Sequence, residues 1–138
     1  MNMFMQAALA VASEAAASLS EIPVGAVIVH EGEIIASSHN RKEALHDPTA
    51  HAEILVLRQA AARLGDWRLS DCDLYVTLEP CPMCMAAIQE ARIRRVYCGA
   101  YKSPDAPALK APEVYYGIEE DACTQLLQHF FQNRRSEP

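Results

Sequence analysis

The sequence predicts a single α/β domain, with a mixed sheet of about five strands sandwiched between helices, and three observations predict it. β-branched runs of strand length alternate with runs at helical spacing. Two of the strand runs are separated only by Glu31-Gly32, which is a hairpin signal. The chain has 138 residues, 51% of them hydrophobic, enough for one sizeable core over residues 1–138 and too few for two.

The opening "MNMFMQAALAVASEAAASL" places Phe4, Ala8, Val11, Ala15 and Leu19 at helical spacing. It lacks a positive leading segment and Glu14 interrupts the apolar run, so it reads as a helix packed on the protein rather than an export signal. "PVGAVIVH" (23–30) and "EIIASSH" (33–39) are the hairpin strands. In "HDPTA", Asp47 or Thr49 is a candidate N-cap, with Pro48 near the first helical position. The helix "TAHAEILVLRQAAARLG" (49–65) follows. "CDLYVTLE" (72–79) reads as a buried strand, and "PCPMCMAAIQEAR" (80–92) as a helix whose prolines fit only a first turn. "RRVYCGA" (94–100) is the next strand. "YKSPDAPALKAPEVYY" (101–116) carries three of the eight prolines and reads as loop, with a short strand at Val114 to Tyr116. "EEDACTQLLQHFFQNRR" (119–135) closes as an amphipathic helix. Two strand–helix–strand passages imply parallel pairing beside the antiparallel hairpin.

A formal net charge of −6 gives no global basic field of the kind that announces nucleic acid. The small clusters Arg92, Arg94, Arg95 and Arg134, Arg135 read first as solvated faces. No run approaches a membrane span, and there is no internal repeat. Five cysteines, an odd number, argue against a complete disulfide framework, and the cytosol is the expected compartment.

The chemistry is carried by "HAE" and "PCPMC". Cys81 and Cys84 have the CxxC spacing that lets two thiolates grip one metal from a tight turn. His51 and Glu53 lie two apart, so they cannot meet on a helix flank. Side chains lean towards a helix's N-terminus, however. A metal off the end of the helix can therefore be met by His51 while Glu53 points at something bound to that metal. Both motifs open helices that follow strand or loop, where sites gather in α/β sheets. Two thiolates and a neutral imidazole neutralise one zinc ion and leave a fourth tetrahedral position for water, the catalytic pattern. Glu53 can then move the water's proton. A four-ligand structural site would draw on Cys72, Cys98, Cys123 or His46 and leaves Glu53 without a task. A redox CxxC has no use for the HxE. Cys72, Cys98 and Cys123 read as small buried hydrophobes, and His30, His39 and His129 as surface or capping residues.

"HAE" followed by "PCPMC" matches the H-x-E…P-C-x-x-C signature of the zinc-dependent cytidine/nucleobase deaminases, a pattern the general chemistry of base deamination already describes. "EIPVGAVIVH", "HNR", "HDPTAHAEILVLRQA", "LYVTLEPCPMCMAAI", "RRVYCGA" and "FFQNRR" extend the likeness over nearly the whole chain, which resembles the bacterial tRNA wobble adenosine deaminases. The resemblance implies a three-layer α/β/α cytidine-deaminase-like fold, a homodimer, and one zinc per chain on His51, Cys81 and Cys84, with Glu53 as proton shuttle. It implies further that Asn40 binds the base edge and that backbone around Ala52 and Pro80 lines the pocket. The expected substrate is the adenosine of a tRNA anticodon stem-loop, with Lys102, Lys110, Arg134 and Arg135 as the cations placed to meet RNA. In one respect the chain departs from the resemblance. Tyr101 to Tyr116 is shorter than the family's segment, which keeps a second substrate class open: a free nucleobase or nucleoside such as guanine or cytosine. A zinc-stabilised binding module without turnover is the third reading.

Overall fold

The computed structural model describes residues 2–18, 20–102 and 112–135. Its elements run α1 (Met3–Ala16), β1 (Gly25–His30), β2 (Glu33–His39), α2 (Lys42–Leu45), α3 (Ala52–Leu64), β3 (Cys72–Leu78), α4 (Pro82–Glu90), β4 (Arg95–Ala100), β5 (Glu113–Tyr115) and α5 (Glu120–Arg135). Five strands form one mixed sheet in the order β2-β1-β3-β4-β5.

Glu31 (φ 52°) and Gly32 (φ 78°) both take positive φ, the conformation that joins two right-twisted strands in a two-residue turn, so β1 and β2 form the expected hairpin. The parallel pairing expected from the strand–helix–strand passages is found between β3 and β4 and between β4 and β5. In the first passage, β1 sits between β2 and β3 and pairs antiparallel with both. The crossover through α3 therefore makes β2 and β3 run the same way without touching.

The sheet is covered on both faces, as alternating side chains require. Ala26, Ile28, Leu74, Val76 and Val96 pack with Val56, Leu57 and Ala60 of α3 and Met85 and Ile88 of α4. Val27, Val29 and Tyr75 point the other way, against Met5 and Ala8 of α1 and Cys123 of α5. The buried ridge of α1 is Met5, Ala8, Ala12 and Ala15, with Phe4 and Val11 at its margin; Leu19 lies outside the described residues. Closeness explains that choice. A Cβ at Gly25 would collide with Ala8 O and lie 2.7 Å from Ala12 N, so alanines and a glycine are what let α1 descend onto β1.

The start of α3 differs from the expected Asp47 or Thr49 cap. Asp47 instead accepts from Thr49 N–H (2.8 Å) and its hydroxyl (2.7 Å), closing a local turn. Residues 42–45 form their own short helix, whose Glu43 and Ala44 N–H groups donate to the buried Glu21 carboxylate. The first turn of α3 is served from β2's end: Ala52 N–H donates to Asn40 Oδ1 at 2.8 Å. Gly65 (φ 67°) ends α3 in the left-handed conformation. Along the outer edge of β2, Ser37 N–H donates to Gln59 Oε1 and Arg63 donates to Ile35 O, both at 3.2 Å from α3 side chains.

Candidate active site

Two helix starts face one another at the carboxyl end of β3. His51 and Cys81 are the N-cap residues of α3 and α4, both with extended backbone, and neither side chain caps its own helix. Their donor atoms are thus free for another partner. Pro82 opens α4 where a missing N–H costs nothing, and Cys84 lies in the same first turn, directed back towards the end.

His51 Nδ1 lies 3.7 Å from Cys81 Sγ and 3.4 Å from Cys84 Sγ. With Zn–S about 2.3 Å and Zn–N about 2.0–2.1 Å, tetrahedral angles put nitrogen and sulfur about 3.5–3.6 Å apart. The two distances bracket that value. Among the described residues these three form the one group of His, Cys, Asp or Glu side chains able to share an ion, their donor atoms all within 4.8 Å. Cys72, Cys98, Cys123 and His46 take no part in it, which removes the four-ligand alternative.

Glu53 supplies the second test of fit. Its carboxyl is buried and Oε1 has no hydrogen-bond partner. Leaving such an atom unpaired costs about 1–3 kcal/mol, a cost that a bound water or substrate proton removes. Burial pushes the Glu53 carboxyl above its ordinary range, against the opposing pull of its own backbone N–H, the Cys84 thiol and the Lys102 charge. Burial likewise pushes the Cys84 thiol far up, with the nearby Glu53 carboxylate and Cys81 adding to it. Desolvation lowers His51, followed by the charges of Lys42 and Lys102, so a neutral imidazole is favoured. The set has the donors of a zinc site and a neutral imidazole, and a metal would displace the Cys84 thiol proton on binding.

A cavity of about 140 Å³ opens onto these groups, lined by residues that include Asn40, His51, Glu53, Glu79, Cys81 and Lys102. Asn40 Oδ1 is engaged by α3, leaving its amide N–H groups for an occupant. Ala52 and Pro80 are buried between lining neighbours and are not themselves part of the wall. Lys102 reaches the cavity; Arg134 does not, standing exposed on α5 with its guanidinium 5.8 Å over the Phe130 ring. Arg135 is the last residue of α5, and Lys110 lies outside the described residues. Sequence reasoning missed Glu79. The signal was there: an acidic residue directly after a strand covered on both faces is itself set to be buried and then needs a partner.

Residues 1–100 match the family described as the cytidine and deoxycytidylate deaminase zinc-binding region. The chain is 46% identical to the tRNA-specific adenosine deaminase of Agrobacterium fabrum, over 96% of this chain and 94% of that one. Among solved structures it is similar to one from studies of A-to-I editing by tRNA:A34 deaminases at the wobble position (TM-score 0.82, 47% identity, 90% of this chain and 98% of that one). It is also similar to a guanine deaminase from Nitrosomonas europaea (TM-score 0.80, 26% identity, 92% and 82% of the chains).

Proposed function

The chain belongs to the cytidine and deoxycytidylate deaminase zinc-binding family, and on that footing we propose that it deaminates adenosine to inosine at the wobble position of tRNA by hydrolysis. The observation that carries the reading is the partnerless Glu53 Oε1 beside the His51, Cys81 and Cys84 donor set. His51, Cys81 and Cys84 would hold a zinc ion, which when bound would supply a water of pKa about 7 as nucleophile at neutral pH. Glu53 takes the water's proton and delivers it to the departing amine nitrogen. A C6–O bond forms, the C6–N bond breaks, and ammonia leaves. A carboxyl whose burial raises its pKa is suited to hold that proton between the two transfers. Asn40 presents amide N–H groups to the base edge, and the backbone flanking Ala52 and Pro80 shapes the wall.

Cavity size supports a flipped base as occupant. About 140 Å³ falls well below the 300–1,000 Å³ of drug-sized pockets and suits a base with its sugar and phosphates outside. An anticodon loop is already single-stranded, so splaying its base is inexpensive. The wobble-deaminase likeness at 47% identity (TM-score 0.82) stands above the guanine-deaminase likenesses at 35% (TM-score 0.69) and 26% (TM-score 0.80), which favours tRNA over a free base. Lys102 at the cavity, with Lys110, Arg134 and Arg135, supplies the cations for RNA. A homodimer is part of the same reading. The groove between α3 and α4, lined by Ile54, Leu57, Ala61, Trp67 and Ala87 together with Arg58 and Glu90, is mostly apolar. Its Trp67 is still 53% exposed with Arg68 4.5 Å over the ring, which leaves a second copy apolar surface to cover. Among the described residues no helix is long and apolar enough to cross a membrane, and a cytoplasmic site of action is part of the same reading.

The test is ammonia release from an anticodon hairpin, guanine, cytosine and free adenosine. The hairpin is the expected substrate. Glu53→Gln should keep one zinc per chain and lose nearly all turnover. A parent protein that ignores the hairpin and releases ammonia from guanine or cytosine would overturn the tRNA reading.

A further inference from the structure

We propose that Glu79 is a positioning residue that fixes Lys102 at the cavity mouth, where its ammonium meets a phosphate beside the target nucleotide. The inference rests on the tRNA reading and adds a residue to it. β3 and β4 leave the sheet side by side, with Leu78 opposite Ala100 in the parallel register. Beyond that register, Glu79 makes two bonds to the end of β4 and the residues after it. Its N–H donates to Ala100 O at 2.9 Å, and its carboxylate Oε1 accepts the Lys102 N–H at 3.1 Å. One residue thus holds the backbone on both sides of Tyr101, whose ring stacks on Tyr116 at 5.2 Å between centroids. Glu79 is 6% exposed, so water does not readily replace it as the acceptor.

Charge explains why this backbone needs holding. Two carboxylates, Glu53 and Glu79, line the cavity, and the chain carries a net charge of −6. An approaching phosphate is repelled unless a cation stands at the entrance. Among the described lining residues, Lys102 is the one lysine or arginine. Its side chain is long and flexible. Anchoring its Cα shrinks the space that the ammonium must search, and preorganisation of this kind strengthens binding without adding a contact. Glu79 acts on the substrate only through Lys102.

The experiment measures kcat, KM and the salt dependence of binding for the zinc-loaded protein on an anticodon hairpin. Lys102→Ala should raise KM about tenfold, change kcat less than twofold, and reduce the salt slope by about one. Glu79→Ala should do the same, with zinc retained. Glu79→Gln keeps an acceptor for the Lys102 N–H and should stay within about twofold of the parent. The double variant Glu79→Ala, Lys102→Ala should match Lys102→Ala alone. Multiplying losses in the double variant, a fall in kcat at unchanged KM, or a Gln variant as impaired as Ala each overturn the proposal. Should Glu79→Ala fail to fold, exchange of the Lys102 amide proton in the parent decides: slow exchange is expected, and fast exchange refutes the bond. That measurement also holds if the parent proves inactive on the hairpin, an outcome that would sink the tRNA reading separately.

Discussion

Asn40→Ala removes the acceptor for the N–H of Ala52, the first residue of α3, and the structure gives the cost. That N–H donates at 2.8 Å, and Ala52 is fully buried, so no water replaces the lost oxygen. Loss of a cap costs about 0.5–2 kcal/mol, and a buried donor left unpaired about 1–3 kcal/mol. A loss of about 2 kcal/mol follows. Unfolding entropy of about 2.1 cal/mol/K per residue over 138 residues gives about 0.29 kcal/mol per degree. Tm should therefore fall by about 7 °C, measured by calorimetry at fixed free zinc so that metal linkage is constant. Asn40→Asp restores an acceptor and places a negative charge at a helix N-terminus, which the helix dipole favours. It should recover most of the Tm. It presents no amide N–H to the cavity, however, so KM for the hairpin should remain raised. A Tm change below about 1 °C for Asn40→Ala would show that α3 does not depend on this bond. Recovery of both Tm and KM in the Asp variant would show that the amide N–H groups have no role with the base.

Three further outcomes are expected. Cys84→Ser should lose zinc and stability together, since the metal ties two helix starts, whereas Cys123→Ser should keep one zinc per chain; metal analysis of the two purified variants decides. Loading zinc into the metal-free protein at pH 7 should release protons, because burial holds the empty Cys84 as a thiol and the bound form is a thiolate. Zinc affinity should accordingly weaken as pH falls, and titration calorimetry in two buffers of different ionisation enthalpy counts the protons; none released would contradict the raised thiol. Gly25→Ala forces a methyl group onto the α1 backbone at Ala8 and Ala12 and should cost at least the about 1–3 kcal/mol of overpacking, read as a Tm drop of about 3–10 °C with zinc content unchanged.

That His51, Cys81 and Cys84 come together at the starts of α3 and α4 is legible because their signals are local. A CxxC with one proline before it and one inside it, and an HxE after a loop, each state their place on a helix without reference to the rest of the chain. The hairpin was legible for the same reason, through Glu31-Gly32. What the sequence hid is non-local. That β1 inserts between β2 and β3 depends on which strand the α3 crossover reaches past, and two strand–helix–strand passages read alike whether or not their strands touch. The start of α3 was misplaced to Asp47 or Thr49 because its capping oxygen belongs to Asn40, twelve residues upstream. Glu79 escaped notice because its bond spans 23 residues to Lys102. The buried ridge of α1 shifted from Phe4 and Val11 to Met5 and Ala12 because close approach to Gly25 outweighed side-chain bulk.

The side chains of Gln59 and Arg63 on the rim of β2 bear on how the molecule behaves in a crowded solution. An open strand margin is a template on which another chain can grow a cross-β stack, and proteins rich in apolar strands must blunt it. Here α3 occupies a donor and an acceptor of that margin with its own amide and guanidinium. The opposite margin is β5, only three residues long. Both described margins are thus poor templates for a cross-β stack.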